Sequence, residues 1–304
     1  MRHDAQRERL SMIDIDEWTI TQAVLKAQAG TQDARLRRVL DSLVRHLHDF
    51  AREVELTEAE WAQGIDFLTR VGHVTDDRRQ EFILLSDVLG LSTLVTAQNN
   101  RRPAGCTEAT VFGPFYVADA PVVRNGDDIA NGAHGQPCFV SGTVRGIGGE
   151  PVAGATIDVW QSDEDGTYDV QRPGLDHAEG RARLASEPDG RYRFRSILAV
   201  PYPIPHDGPV GRLLERTGRH PWRPAHLHFM IQAPGYETLV THVFRSGGEY
   251  LDSDAVFGVR SSLVADWKPH GPGTAPDGTR MDTPFHTLDY DFVLNPAAPA
   301  PQAP

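Results

Sequence analysis

The chain has 304 residues, 39% of them hydrophobic and 24% charged, with a formal net charge of −12 and a pI near 5.5. This is the composition of a globular protein of one or two domains, and its acidic balance argues against nucleic acid or an anionic membrane surface as the main partner. No run nears the roughly 18 apolar residues of a membrane span, the opening MRHDAQRERLSMIDIDEW lacks the apolar stretch of a secretory signal, and Cys106 and Cys138 form no CxxC pair, so a cytoplasmic protein with reduced thiols is expected.

Residues 1–100 read as helices. Gly30 stops a first segment, and Leu36, Val39, Leu40, Leu43, Val44, Leu47, Phe50 and Val54 then recur at spacings of three and four, one apolar stripe. Thr57 and Glu60 fit a capping box that opens a helix containing Trp61, Ile65 and Leu68. Phe82, Leu85 and Leu89 form a third stripe, ended by Gly90.

After residue 100 the pattern changes to short alternating runs between glycine and proline turns. CFVSGTVRG (138–146), ATIDVWQ (155–161), RYRFRSI (191–197), HLHFMIQ (226–232), TLVTHVF (238–244) and HTLDYDFVL (286–294) read as strands, with PDGRY and APGYE as turns. The sequence predicts an α+β protein: helical residues 1–100, then an antiparallel β-sandwich or barrel over 101–304. The final NPAAPAPQAP reads as extended or disordered.

The tripeptide His-Leu-His occurs twice. His46 and His48 lie in a helical stripe, where residues two apart point about 200° apart around the axis and cannot share an ion. His226 and His228 lie in a strand, where such residues share a face with Cα atoms about 6.5–7 Å apart. That geometry allows a metal site without requiring one, since strand histidines are often only packed or hydrogen-bonded. Tyr168, in the turn SDEDGTYDVQ, and Tyr202, between prolines in AVPYPIPHDGP, stand out by placement. Flanking prolines restrict the backbone around Tyr202, although a tyrosine packing on prolines would read the same way.

Tyr168, Tyr202, His226 and His228, together with GPFYVADAP (113–121), SGTVRGIGGEPVAGATIDVWQSDEDGTYD, PYPIPHDGPVG and RPAHLHF, resemble the intradiol ring-cleaving dioxygenases over roughly residues 75–295. Within that family TEATVFGPFYV, GRLLERTGRHPWRPAHLHFM and His242 in VTHVFRSG resemble the hydroxyquinol-cleaving branch; catechol-cleaving relatives tend to carry glutamine at the position of His242. The resemblance implies N-terminal helices that form a homodimer and can frame a lipid channel. It also implies a β-sandwich holding one Fe(III) through Tyr168, Tyr202, His226 and His228. Phenolate suits this hard cation, imidazole completes the set, and the cation in turn stabilises the ionised phenol. The substrates would be an aromatic ortho-diol and O2, and the product a cis,cis-muconate.

In that reading Tyr202 matches the tyrosine that leaves the metal and takes up a diol proton. Arg223 matches the arginine whose fixed charge steadies charge on the ring. Leu84, Asp87, Val111, Phe112, Gly113, Pro114, Phe115, Ile204 and Pro205 would line the ring site, with Asp87 placed to accept a hydrogen bond from a third hydroxyl. His242 is a candidate donor to substrate or peroxide, and equally a hydrogen-bonded core histidine. Three alternatives stay open on the sequence: a catechol or chlorocatechol dioxygenase, a β-sandwich binding module without catalytic metal, and a zinc hydrolase with a further carboxylate or histidine near the pair.

Overall fold

A computed structural model of the chain describes residues 13–76 and 79–298. Most of the opening stretch and the last six residues of the Pro-Ala tail lie outside the described residues. Two compact units divide the chain at residues 69 and 70.

The first unit holds α1 (Ile20–Ala27), α2 (Ala34–Glu53) and most of α3 (Glu58–Val74). The side chain of Asp33 caps α2, its Oδ1 accepting from Arg35 N at 2.8 Å and Leu36 N at 3.0 Å. The Thr57–Glu60 box opens α3 as predicted: Glu60 N donates to Thr57 Oγ1 at 3.2 Å and Thr57 N to Glu60 Oε2 at 3.0 Å. His46 is exposed and His48 pairs with Thr21 Oγ1 at 2.9 Å, so that copy of His-Leu-His serves the helix surface. The α2 stripe is not core in the single chain: Leu36, Val39, Leu43, Leu47, Phe50 and Val54 are 44–54% exposed, and Trp61, Ile65 and Leu68 of α3 are 45–60% exposed. A continuous apolar face of this kind marks an interaction surface.

In the second unit α4 (Glu81–Val88) and α5 (Leu91–Asn99) meet at 79° around Gly90, whose φ of 75° favours glycine. Fourteen strands follow among the described residues. The longer early ones are β1 (Pro137–Gly146), β2 (Thr156–Trp160), β3 (Arg181–Ala185) and β4 (Arg191–Ile197). A short pair, β5 (Tyr202–Pro203) and β6 (Trp222–Arg223), flanks α6 (Pro209–Arg216). Next come β7 (His226–Gln232), β8 (Leu239–Arg245), β9 (Val264–Ala265) and β10 (Trp267–His270), then β11 (Gly273–Thr274), β12 (Arg280–Met281), β13 (Phe285–Asp289) and β14 (Phe292–Leu294). No single helix among the described residues is long and apolar enough to cross a membrane.

Two five-stranded sheets face each other. One runs β3-β2-β7-β8-β9; in the other β1 is flanked by β4 on one edge and by β13 and β14 in succession on the other, with β10 beside β13. Most pairs are antiparallel as expected, but β1–β13, β1–β14 and β8–β9 are parallel. The run 286–294 is two strands, not one. Tyr290 N donates to Ser141 O at 2.9 Å, Thr143 N donates to the Asp291 side chain at 2.8 Å, and the chain steps outward over Gly142 between them.

Strand alternation then decides where the chemistry sits. Leu227, Phe229 and Ile231 of β7, Ile157 and Val159 of β2 and Val243 of β8 point into the core between the sheets, against Tyr192, Phe194 and Phe292. Their neighbours Trp160, His226, His228 and His242 therefore share the opposite face, with Trp160, His228 and His242 directly across from one another.

A methyl added at Gly142 would stand 1.8 Å from Tyr290 O, a backbone atom that cannot swing aside. Gly142→Ala is expected to destabilise the sandwich by about 2–3 kcal/mol and lower Tm by roughly 5 °C, as read by thermal denaturation; an unchanged Tm would show that the β13–β14 step yields freely.

Candidate metal centre

β7 carries the two imidazoles on one face, both at most 2% exposed. Each has one ring nitrogen committed. His226 Nδ1 lies 2.7 Å from Pro224 O, and a carbonyl only accepts, so the proton sits on Nδ1 and Nε2 keeps its lone pair. His228 Nδ1 lies 2.8 Å from His242 Nε2, and His242 Nδ1 lies 2.8 Å from Thr110 Oγ1. This chain of hydrogen bonds leaves His228 Nε2 as the free nitrogen, 3.1 Å from His226 Nε2. Trp160 stacks on one side of the His228 ring at 4.8 Å and 14°. The close approach of Gly113 confines the ring further, a Cβ there being 3.1 Å from Cε1.

Tyr168 brings its hydroxyl to 2.9 Å from His228 Nε2. Its loop is pinned by ion pairs. Asp163 accepts from Thr167 N at 3.0 Å and from Arg172 Nε at 2.9 Å, Asp169 accepts from Arg181 Nε at 2.6 Å, and Arg181 Nη1 reaches Phe115 O at 2.8 Å. Phe115 stacks on the Tyr168 ring at 4.4 Å. Tyr202 is held differently, on the two-residue strand β5 between prolines, its ring edge-on to Tyr168 at 5.3 Å. The hydroxyl of Tyr202 accepts from Arg223 Nη1 at 3.4 Å, and the same nitrogen is 3.3 Å from His226 Nε2. Arg223 in turn pairs with the buried carboxylate of Asp254, Nε to Oδ1 at 3.1 Å.

Tyr168 Oη, His226 Nε2 and His228 Nε2 thus converge, and Arg223 Nη1 links Tyr202 Oη to His226 Nε2. Two ligands each about 2.1 Å from a metal and about 90° apart stand about 3.0 Å from each other, and the spacings of 2.9 and 3.1 Å around His228 Nε2 match this. Among the described residues His226, His228 and His242 also form a group whose ligating atoms all lie within 4.8 Å. His242, however, spends both ring nitrogens on His228 and Thr110. It supports His228 from behind instead of facing substrate or peroxide, the hydrogen-bonded core alternative. Such a partner fixes the tautomer of a ligating histidine.

Electrostatics leave the imidazoles as neutral donors. Burial, reinforced by the Arg223 charge, pushes His226 down to about 3, and burial with the neighbouring imidazoles holds His228 and His242 well below the usual range, so all three rings are neutral at neutral pH. Burial and the adjacent Tyr202 phenol hold Tyr168 well above 10, so its phenol ionises only against added positive charge. Burial works against the charge of Arg223, but Asp254 and the two phenols raise its pKa and keep it cationic.

A cleft of about 550 Å³ opens beside the donors, walled by Leu84, Pro114, Phe115, Ile204 and Pro205 and by charged Arg79, Arg172 and Asp207. Phe115 belongs both to this wall and to the Tyr168 stack. Asp87 is 5% exposed on α4, close enough to Arg223 and Asp254 to feel both charges, and burial raises its pKa. Val111 is buried, and Phe112 packs on Tyr116 at 4.8 Å and Trp160 at 5.9 Å with its ring 40% exposed. The sequence reading missed Thr110, Trp160, the Asp163 and Asp169 ion pairs, and Asp254. Only Trp160 carried a usable signal, its position on the same strand face as the histidines once β2 is set beside β7.

Comparison with known proteins agrees with this geometry. A family model described as "Dioxygenase" matches residues 111–296, and one described as "Catechol dioxygenase N terminus" matches residues 33–107. A 6-chlorohydroxyquinol 1,2-dioxygenase of Cupriavidus pinatubonensis is 61% identical over 94% of this chain and 99% of its own length. A hydroxyquinol 1,2-dioxygenase of Nocardioides simplex is 54% identical over 92% of this chain and 96% of its own. The crystal structure of hydroxyquinol 1,2-dioxygenase from Pseudomonas putida DLL-E4 superposes with a TM-score of 0.86 at 46% identity, covering 92% of this chain and 99% of that one. Similarity that runs through both the helical part and the strand region carrying Tyr168, Tyr202, His226 and His228 places the chain in the intradiol ring-cleaving dioxygenase family.

Proposed function

We propose that this protein holds one Fe(III) through Tyr168, Tyr202, His226 and His228 and uses O2 to open hydroxyquinol between its adjacent hydroxyls. The product is 3-hydroxy-cis,cis-muconate, or its keto tautomer maleylacetate. The observation that carries the reading is that Tyr168 Oη, His226 Nε2 and His228 Nε2 meet at 2.9 and 3.1 Å in a buried site, with Tyr202 Oη joined to His226 Nε2 through Arg223 Nη1. A hard donor set of two phenolates and two imidazoles fits a ferric ion better than zinc, and the zinc-hydrolase alternative lacks its further ligand once His242 is spent. The identity to hydroxyquinol and chlorohydroxyquinol enzymes favours a trihydroxylated ring over catechol.

When bound, a ferric ion supplies the Lewis acidity that draws electron density from the ring and opens it to O2. The side chains do the rest. The Tyr168 loop, locked by its ion pairs, keeps that phenol in place. Tyr202 sits on a two-residue strand between prolines and its hydroxyl takes a long 3.4 Å contact from Arg223, so this oxygen is the one suited to exchange and accept a diol proton. Arg223 Nη1, beside Tyr202 and His226, steadies negative charge developing on the substrate oxygen. The cleft walls at Leu84, Phe115 and Ile204 hold the ring and exclude water. On α4, Asp87 is the acceptor for the third hydroxyl.

The exposed apolar faces of α2 and α3 are the surface through which we propose that two copies pair, with room for a lipid tail between them. Cys106 and Cys138 are both unpaired, which suits the reducing cytoplasm.

Oxygen uptake by the iron-loaded protein, followed with ultraviolet detection of the ring-opened acid, is expected to be faster with hydroxyquinol than with catechol or 4-chlorocatechol; a preference for catechol would reassign the substrate. Asp87→Leu is expected to lower kcat/KM for hydroxyquinol by at least about tenfold while catechol turnover changes little, because only the triol loses a hydrogen bond. Equal losses on both substrates would remove Asp87 from recognition.

A further inference from the structure

The segment joining β8 to β9 carries two aromatic residues in left-handed backbone, Tyr250 at φ 65° and Phe257 at φ 60°. Bulky side chains rarely adopt this conformation, and strain of this kind persists only where neighbouring contacts over-determine it. Here they do. Tyr250 stacks on Trp222 at 5.6 Å and 8°. Ala255 N donates to Trp222 O at 3.1 Å, and Thr93 Oγ1 to Val256 O at 2.9 Å. Arg219 lies 4.9 Å over the Phe257 ring while its two Nη atoms bind Val88 O at 2.6 Å and Ala255 O at 3.0 Å, tying this segment to the end of α4.

Between the two strained aromatics sits Asp254, 6% exposed. Its own segment holds its carboxylate, through Gly258 N at 2.8 Å and Val256 N at 3.3 Å. That carboxylate grips one edge of Arg223, Oδ1 to Nε at 3.1 Å and Oδ2 to Nη2 at 3.3 Å. The remaining nitrogen, Nη1, is left facing Tyr202 and His226. A guanidinium presents its donors in a rigid plane, so fixing one edge fixes the direction of the other.

We propose that Asp254 is a positioning residue for ring opening: by holding the Nε–Nη2 edge of Arg223 it aims Nη1 at the space between Tyr202 Oη and His226 Nε2. This deepens the proposed function and rests on its placement of Arg223 beside the reacting ring. The Trp222–Tyr250 stack and the Arg219 bridge set the position of the carboxylate, which explains why the segment tolerates two left-handed aromatic residues.

The test uses the full-length, iron-loaded protein and four variants: Asp254→Asn, Gly258→Ala, Arg223→Met and the double variant Arg223→Met with Asp254→Asn. A methyl at Gly258 would stand 3.0 Å from Arg223 Nη2 and 3.1 Å from Asp254 Oδ2, displacing the pair while leaving both charges in place. Asp254→Asn and Gly258→Ala are each expected to lower kcat on hydroxyquinol on the order of 10- to 100-fold, with KM within about threefold and iron content unchanged. The visible absorption band should shift as Arg223 moves off Tyr202. The double variant should be no slower than Arg223→Met alone, because Asp254 acts only through that side chain. A kcat within about twofold of the unaltered protein in Asp254→Asn, or losses that multiply in the double variant, would overturn the proposal. If Asp254→Asn does not fold, Gly258→Ala decides by the same kcat and KM criteria. Absence of O2 uptake by the unaltered protein with any diol would instead remove the reading on which the proposal rests, and the proposal with it.

Discussion

The proton on His226 Nδ1 is committed to the Pro224 carbonyl 2.7 Å away, and the chemistry of the site follows from that bond. A carbonyl cannot donate, so Nε2 must present a lone pair inward. The relay from His228 through His242 to Thr110 occupies His228 Nδ1 in the same way and turns its Nε2 inward. Two imidazole nitrogens and two phenols then meet in a volume shut off from water, where they answer one another and Arg223 through hydrogen bonds. Arg223 contributes one cation at the edge, and Asp254 is already paired with it. That donor set is the one the proposed Fe(III) would use.

The fold supplies this constraint with little extra machinery. Because side chains alternate along a strand, β7 gives Leu227, Phe229 and Ile231 to the inter-sheet core and His226 and His228 to the other face. The packing that stabilises the sandwich is therefore the packing that holds the imidazoles still. Neighbouring strands place Trp160 and His242 on either flank of His228. The tyrosines come from loops, and the loops differ: three carboxylate-arginine contacts pin the segment around Tyr168, whereas Tyr202 relies on prolines and a two-residue strand. One oxygen held rigidly and one held loosely is what proton exchange with a chelating substrate requires.

Much of this was legible in the sequence because it depends on local period. The run 226–232 reads as a strand and is one with the same bounds, so the shared face of His226 and His228 followed directly, and the helical period around His46 and His48 ruled that pair out just as directly. The capping box at Thr57 and Glu60 was equally local. What depends on distant partners was not legible from the residues themselves. Asp254 meets Arg223 across 31 positions, Thr110 meets His242 across 132, and the break at Tyr290 arises from β1 lying beside it. The two tyrosines were singled out by turn context but joined to the histidines only through family resemblance. Periodicity marked the α2 stripe as apolar, yet it gives no information on whether such a face meets its own chain or another, and here it is exposed.

The most direct test of the central claim is the metal content and visible spectrum of the purified, iron-loaded protein, with Tyr168→Phe and Tyr202→Phe alongside. Tyrosinate ligation to ferric iron predicts one iron per chain and a broad visible band that colours the protein red, weakened and displaced when either tyrosine is replaced. A colourless protein, a zinc-loaded one, or a band indifferent to both substitutions would contradict it.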